Sequence, residues 1–277
     1  MTLKPEIRPT VNLDIEIFIM TSHDRHRSKA DIIMATWGQY FPYVHFITNE
    51  NDDSLPVIKL SENADSNYWT FHRKVLYTIK QFSNGLKNNI RWFIIVNDEA
   101  FIVPDSMIKL AREYDNNKEY FIGQGRNYED LYRIQFDAGW LISSKMAYKL
   151  LKFVDECMNY DNSNYIKSEA ELVDLSIFVC FNQQLNDRII PTHRIEFNYN
   201  SPPEMAQAYQ SSCDSTTTTT TITSVNNNET ICYSTDRIYG SGEAVTYSKV
   251  APWPIMLGLW RQYRNFNHEF GEPRFRT

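Results

Sequence analysis

Between Asp14 and Met20 the chain is almost continuously apolar (Ile15, Ile17, Phe18, Ile19, Met20), and such a run predicts a strand buried on both faces. It ends in the polar cluster Thr21-Ser22-His23-Asp24-Arg25. From Ser28 to Trp37, residues Ile32, Ile33, Ala35, Thr36 and Trp37 recur at helical spacing, and Val44 to Thr48 then reads as a second short strand. Strand, helix, strand is the opening of a right-handed parallel α/β unit. Tyr68 to Phe82 sets Trp69, Val75, Leu76, Ile79 and Phe82 against Arg73, Lys74 and Lys80, an amphipathic helix closed by Asn84-Gly85. Arg91-Trp92-Phe93-Ile94-Ile95-Val96 is the clearest central strand, and it runs directly into Asn97-Asp98-Glu99. A helix over Asp105 to Tyr114, capped by Asp105, follows Pro104. Tyr120 to Gly123 is a short strand, and Leu141 to Ser144 leads into a helix from Ser144 to Phe153. A further helix runs from about Ala170 to Leu185. Residues 214–230 are low in complexity, with Thr216 to Thr221 all threonine and Asn226 to Asn228 all asparagine, and read as a disordered loop.

This pattern is α/β, and 277 residues fit one large domain or two smaller ones. A hydrophobic content of 42%, reached with many Tyr and Phe, supplies a real core and excludes disorder over the whole length. The net charge of −6, without any run of Lys and Arg, argues against nucleic acid as a partner. No stretch approaches about 20 apolar residues, and Met1-Thr2-Leu3-Lys4-Pro5 lacks the apolar core of a signal peptide, so either the protein is soluble or an anchor lies outside this chain. Cys157, Cys180, Cys213 and Cys232 fit two disulfides or four thiols. Asn228-Glu229-Thr230 is a glycosylation sequon, which inclines the reading towards a secretory lumen.

In an open parallel sheet ligands collect beyond the carboxyl ends of the strands, where Asn97-Asp98-Glu99 falls. Acidic residues there can hold a divalent cation that neutralises a diphosphate, or they can simply cap a turn. Most histidines read as surface or packing residues, His23 with His26 being the only spacing of interest. The tryptophans Trp37, Trp92, Trp253 and Trp260 read as core, whereas Trp140, beside a glycine-containing turn, is a candidate for stacking on a sugar.

The run Trp92 to Val103, an apolar strand delivering Asn97-Asp98-Glu99, resembles the segment of Fringe-like glycosyltransferases in which a strand delivers three aspartates. Four further landmarks keep the family's order: Thr36-Trp37, Tyr120-Phe121-Ile122-Gly123, Phe136-Asp137-Ala138-Gly139-Trp140-Leu141-Ile142-Ser143, and Val173-Asp174-Leu175-Ser176-Ile177-Phe178-Val179-Cys180. Within the family the motifs most resemble the core 1 β1,3-galactosyltransferase branch, including its chaperone-like homologue, with Glu243 to Val250 and Trp260 to Arg264 similar to that branch's closing segments. The resemblance implies a single GT-A-like, nucleotide-sugar-binding domain over residues 14–270, with a mostly parallel central sheet, flanking helices and the 214–230 loop within it.

It also implies roles. Asp174 would be the catalytic base that takes the acceptor hydroxyl's proton in an inverting transfer, although a carboxylate in a helix's first turn is also favoured by the macrodipole. Asn97, Asp98, Arg73 and Trp140 would bind the UDP-sugar, UDP-galactose in that branch. Mn2+ would fall to Glu99 and Ser248, where the family has aspartate and histidine, so the metal site is weakened. Phe71 stands where active members of the branch usually carry lysine. Cys157 and Cys180 would pair around the Asp174 motif, and Cys213 with Cys232 across the Thr-rich loop. The implied activity is transfer of galactose or another hexose, β1,3-linked, to O-linked GalNAc on a glycoprotein acceptor, in the Golgi or endoplasmic reticulum. The alternative is an inactive chaperone-like protein that binds a client glycosyltransferase. A homodimer is the further partner expected.

Overall fold

The computed structural model describes residues 14–60, 68–84, 90–128, 131–136, 139–158, 172–184, 192–193, 197–198, 219–223, 230–234 and 246–247. In chain order, β1 is Ile15–Met20, α1 Asp31–Ala35, β2 Val44–Thr48, β3 Val57–Lys59, α2 Tyr68–Asn84, β4 Trp92–Asn97 and β5 Phe101–Ile102. Then come α3 Pro104–Glu113, β6 Phe121–Gly123, β7 Gly125–Tyr128, β8 Leu131–Ile134, β9 Trp140–Ser143, α4 Ser144–Leu151, α5 Val154–Met158 and α6 Leu172–Gln184. The remaining strands are β10 Thr192–His193, β11 Phe197–Asn198, β12 Thr219–Thr223, β13 Thr230–Ser234 and β14 Thr246–Tyr247.

The seven-stranded sheet runs β10-β6-β9-β4-β1-β2-β3. Only β9 is reversed, pairing antiparallel with both β4 and β6, while the other pairs are parallel. Because side chains alternate across a strand, the unbroken apolar runs of β1 and β4 feed two cores at once. Ile15, Ile17, Ile19, Trp92, Ile94 and Val96 pack with Ile33 and Trp37 and with Met107, Ile108, Leu110 and Ala111 of α3. Phe18, Met20, Phe93 and Ile95 pack with Val75, Leu76, Ile79 and Phe82 of α2 and with residues of α4, α5 and α6. The Phe82 and Phe93 rings stack at 4.2 Å, the tightest of the aromatic contacts across that layer.

Several expectations shift at the edges. The single helix expected over Ser28 to Trp37 is broken: a wide turn over His26–Ala30, the short α1, and a 3₁₀ turn over Trp37–Tyr40. Thr36 causes the break, its hydroxyl donating back to the Ile32 carbonyl at 2.6 Å while its backbone leaves helical geometry at φ −116°, ψ −115° and Trp37 turns into the core. Asp105 does not cap α3. Val103 precedes the helix and Pro104 occupies its first position, where a missing N–H costs nothing, so Asp105 lies in the first turn against the positive helix end. Ser143 does cap α4, accepting the Met146 N–H at 3.3 Å, and α4 stops at Leu151 rather than Phe153. Where the Thr-rich stretch suggested a disordered loop, β12 and β13 pair antiparallel from Thr219↔Ser234 to Thr223↔Thr230, which suits β-branched threonine.

Trp140 is fully buried, its Nε1–H donating to the Ile134 carbonyl at 3.2 Å and its ring packed edge-on against Phe121, Phe136 and Phe178. It therefore offers no face for a sugar. Gly139, the residue before it, takes φ 88°, which a side chain would resist, and this turn delivers β9 back into the sheet.

Behind α2, Cys157 of α5 and Cys180 of α6 form the disulfide implied by the family resemblance. Cys213 lies outside the described residues, so the second pairing does too. Beside the disulfide sits His72 of α2, wholly buried: its Nε2–H donates to the Cys157 carbonyl at 3.1 Å and its Nδ1 accepts from the Ser176 hydroxyl at 2.6 Å. These two acceptor and donor roles fix the neutral tautomer. Burial, more than the nearby Arg73 charge, pushes its pKa down to about 4.

The unfolded chain takes up a proton on His72 near its ordinary pKa of about 6.5 while the folded protein resists until about 4. Stability should therefore be full above pH 6.5 and fall by about 3 kcal/mol as pH drops to 4. Urea titrations across that range will show the slope in the native protein and its loss in His72→Gln. With Cys157 and Cys180 separated by 23 residues, reduction of the disulfide should cost about 3 kcal/mol of unfolding free energy, measurable as a lower denaturation midpoint.

Candidate functional site

The chain goes from β1 to β2 and β3 on one side, then α2 carries it back across the sheet to place β4 on the other side of β1. The crevice beyond the carboxyl ends of β1 and β4 is therefore the topological switch point where ligands of open α/β sheets bind. Met20 and Asn97, the last residues of these two strands, stand side by side, and the Asp98 N–H donates to the Met20 carbonyl at 3.0 Å. Asn97 Oδ1 accepts the Glu99 N–H at 3.0 Å, closing an Asx turn that holds Asp98 and Glu99 at the crevice.

The Asp98 side chain is 2% exposed, and both its oxygens are engaged. Oδ2 accepts the Thr21 hydroxyl at 2.7 Å, and Oδ1 faces the Arg25 guanidinium at 3.1 Å. Burial pushes the Asp98 carboxyl above its ordinary pKa, because desolvation outweighs what Thr21 and Arg25 return. The pairing in turn raises the pKa of Arg25. Glu99 Oε1 lies 3.6 Å from both Arg25 Nη1 and Lys29 Nζ. Lys74, almost entirely buried, donates to the Thr21 carbonyl at 3.0 Å, and desolvation lowers its pKa against the pull of Asp98 and Asp24. Three cations thus converge on two carboxylates, with Asp24 exposed in the same turn as Arg25.

The turn carrying Arg25 is held from below. His26, its neighbour, is 1% exposed, with Nδ1 3.1 Å from Asp52 Oδ2 and Nε2 3.2 Å from Thr48 Oγ1 at the end of β2. His23 faces Glu50 at 3.2 Å, so the two histidines with suggestive spacing each serve a separate carboxylate.

Of the residues singled out in the sequence, Asn97, Asp98 and Glu99 come together at the crevice. Arg73 is exposed on α2, whereas its neighbour Lys74 reaches the crevice. Asp174 is the third residue of α6, and Ser248 lies outside the described residues. The strand that immediately precedes Ser248 returns to the acidic turn, with Tyr247 paired to Phe101. Thr21, Arg25, Lys29 and Lys74 went unread as site residues. A signal for Lys74 existed: a crossover helix begins at the carboxyl edge of the sheet, so a lysine in its first half beside Val75 points to the ligand side.

The described residues do not fit a divalent cation as they stand. Such an ion needs anionic oxygens, yet those of Asp98 are answered by Thr21 and Arg25, and Glu99 faces Arg25 and Lys29. A dication would also sit among three positive charges. Among the described residues, no group of three or more His, Cys, Asp or Glu gathers in a way that could hold a metal.

A mostly parallel α/β sheet with helices on both faces and a carboxylate turn at its switch point is the class that fold and site define. The profile of the family described as Fringe-like matches residues 10–195, well over half of the 277, and the chain belongs to that family. Among its relatives, β1,3-N-acetylglucosaminyltransferase lunatic fringe of Xenopus laevis is 24% identical over 43% of this chain and 32% of its own length. The manic fringe β1,3-N-acetylglucosaminyltransferase of Homo sapiens is 22% identical over 65% of this chain and 61% of its own. The chain thus spans about a third of the length of the lunatic fringe proteins it matches. A crystal structure of a glycosyltransferase involved in glycosylation of the major capsid of PBCV-1 is similar at a TM-score of 0.47 and 10% identity, covering 89% of this chain and 99% of that one.

Removing the hydroxyl at Thr21 tests the anchoring of Asp98. Thr21→Val should cost about 1–3 kcal/mol by leaving a buried carboxylate oxygen without its donor, and Thr21→Ser should cost less than about 1, both read from chemical denaturation.

Proposed function

We propose that this chain is the catalytic domain of a glycosyltransferase that takes a nucleoside-diphosphate sugar into the crevice beyond β1 and β4. The observation that carries this reading is Asp98, buried and held by the Thr21 hydroxyl, the Arg25 guanidinium and, through its N–H, the Met20 carbonyl at the switch point of a Fringe-like domain. A carboxylate held so firmly where ligands enter is organised for recognition rather than for capping a turn, which would leave it at the surface.

In this reading Asn97, Asp98 and Glu99 face the nucleotide, and UDP is the carrier. Asp174 takes the proton from the acceptor hydroxyl as its oxygen attacks the anomeric carbon. The hexose goes to a glycan on a glycoprotein, with galactose onto O-linked GalNAc as the specific version and N-acetylglucosamine, the sugar named for the fringe relatives, as its competitor. The Cys157–Cys180 disulfide supports an oxidising compartment, the lumen of the Golgi or endoplasmic reticulum. One observation favours a second reading, a chaperone-like protein that holds a client transferase: Asp98 and Glu99 are already occupied by the protein's own cations.

Incubation of the purified protein with UDP-galactose and UDP-N-acetylglucosamine and O-GalNAc glycopeptides should give a product with one of the donors. Asp174→Asn should lower kcat about 10²–10⁴-fold while leaving the donor KM nearly unchanged. Absence of turnover with every sugar nucleotide, together with recovery of a transferase in a pull-down from a secretory extract, would establish the chaperone-like reading instead.

A further inference from the structure

Resting on the donor-site reading, we infer that the crevice binds the diphosphate of its donor without a divalent ion, with Arg25, Lys29 and Lys74 supplying the positive charge. Three independent features lead there. First, the carboxylates of Asp98 and Glu99 both face Arg25 Nη1, at 3.1 and 3.6 Å, so the point they share holds a protein cation, while Thr21 takes the other Asp98 oxygen and Lys29 faces Glu99. Second, the cations come from separate parts of the chain, Arg25 and Lys29 from the turns after β1 and Lys74 from α2, and meet at the switch point. Third, Lys74 is buried at 5% exposure and donates to a backbone carbonyl, Thr21 O at 3.0 Å, a costly arrangement for an ammonium unless further negative charge arrives nearby.

The carboxylates then act as positioning residues. Asp98 holds the Arg25 guanidinium over the end of β4, and Glu99 holds both Arg25 and Lys29 at 3.6 Å, a separation loose enough for either to turn towards a phosphate oxygen. Arg25 is 47% exposed, so its guanidinium can serve Asp98 on one edge and present its remaining N–H groups to the crevice. In the transfer, the bond between the anomeric carbon and the β-phosphate oxygen breaks and its electron pair leaves on that oxygen. The acceptor oxygen bonds the anomeric carbon, and its proton passes to the base. The departing diphosphate gains one negative charge, and the cation group is placed to take it up.

The test is calorimetric titration of UDP and UMP into the wild-type protein in EDTA and again in MnCl2. UDP should bind in EDTA, about tenfold or more tighter than UMP, and manganese should change its Kd by less than about threefold. Arg25→Gln and Lys29→Gln, at a partly exposed and an adjoining position, should each weaken UDP about tenfold, leave UMP unchanged, and remain weak in manganese. Raising salt should weaken UDP binding to the wild-type protein, a readout independent of any substitution. UDP binding that appears only with manganese, manganese rescue of Arg25→Gln, or salt-insensitive binding would overturn the inference while leaving the donor site standing. UDP that fails to bind under either condition would remove the donor site as well.

Discussion

A buried carboxylate at the meeting of two strand ends is the constraint on which the rest of this structure depends. Taking Asp98 out of water costs several kcal/mol, and that cost is offset only if donors and cations surround it. They are drawn from far along the chain, the Thr21 hydroxyl just after β1 and the Arg25 guanidinium from the turn beyond it, while the Asp98 N–H donates to the Met20 carbonyl. Lys74 completes the group from α2 by gripping the Thr21 carbonyl. These contacts meet at the end of β1, so satisfying one charge also registers β1 against β4 and sets α2 beside them.

The sheet makes that arrangement affordable. With α1 and α3 on one face and α2, α4, α5 and α6 on the other, the central strands are sheltered on both sides. Trp140, the aromatic residue that suggested sugar recognition, contributes to this shelter together with the tryptophans read as core. Trp37, Trp92 and Trp140 are among the largest fully buried side chains, and Trp140 lies between Phe121, Phe136 and Phe178 rather than at the crevice. The crevice is left to polar groups on the turns that leave β1 and β4.

Behind α2 a second polar seam does structural work of its own. His72 links the Cys157 carbonyl to the Ser176 hydroxyl, and the disulfide ties α5 to α6 at the same place. Since α6 carries Asp174 two residues ahead of Ser176, the seam fixes the backbone of the helix on which the proposed base stands. His72 and Lys74, two residues apart on α2, thus each make a buried polar contact, one to the seam behind the helix and one to the turn after β1.

The elements themselves were written in the order of apolar and polar residues. The runs at 15–20 and 92–97 are buried strands, α2 falls where periodicity put it, α6 lies within the expected 170–185, and the acidic turn after β4 is where an α/β sheet presents ligands. The motifs around Thr36-Trp37, Gly139-Trp140 and Asp174 carried the family, which the profile match over residues 10–195 bears out. What the order of residues did not reveal was which charges meet. Arg73 and Lys74 are adjacent and chemically alike, and only the packing of α2 decides that one is exposed and the other reaches the crevice. Arg25, 73 residues from Asp98, looked like part of a solvated turn because its partner is remote in sequence. Local pattern determines burial and helical or extended form, since those depend on near neighbours. Charge pairing across a switch point depends on distances that exist only after the sheet has assembled.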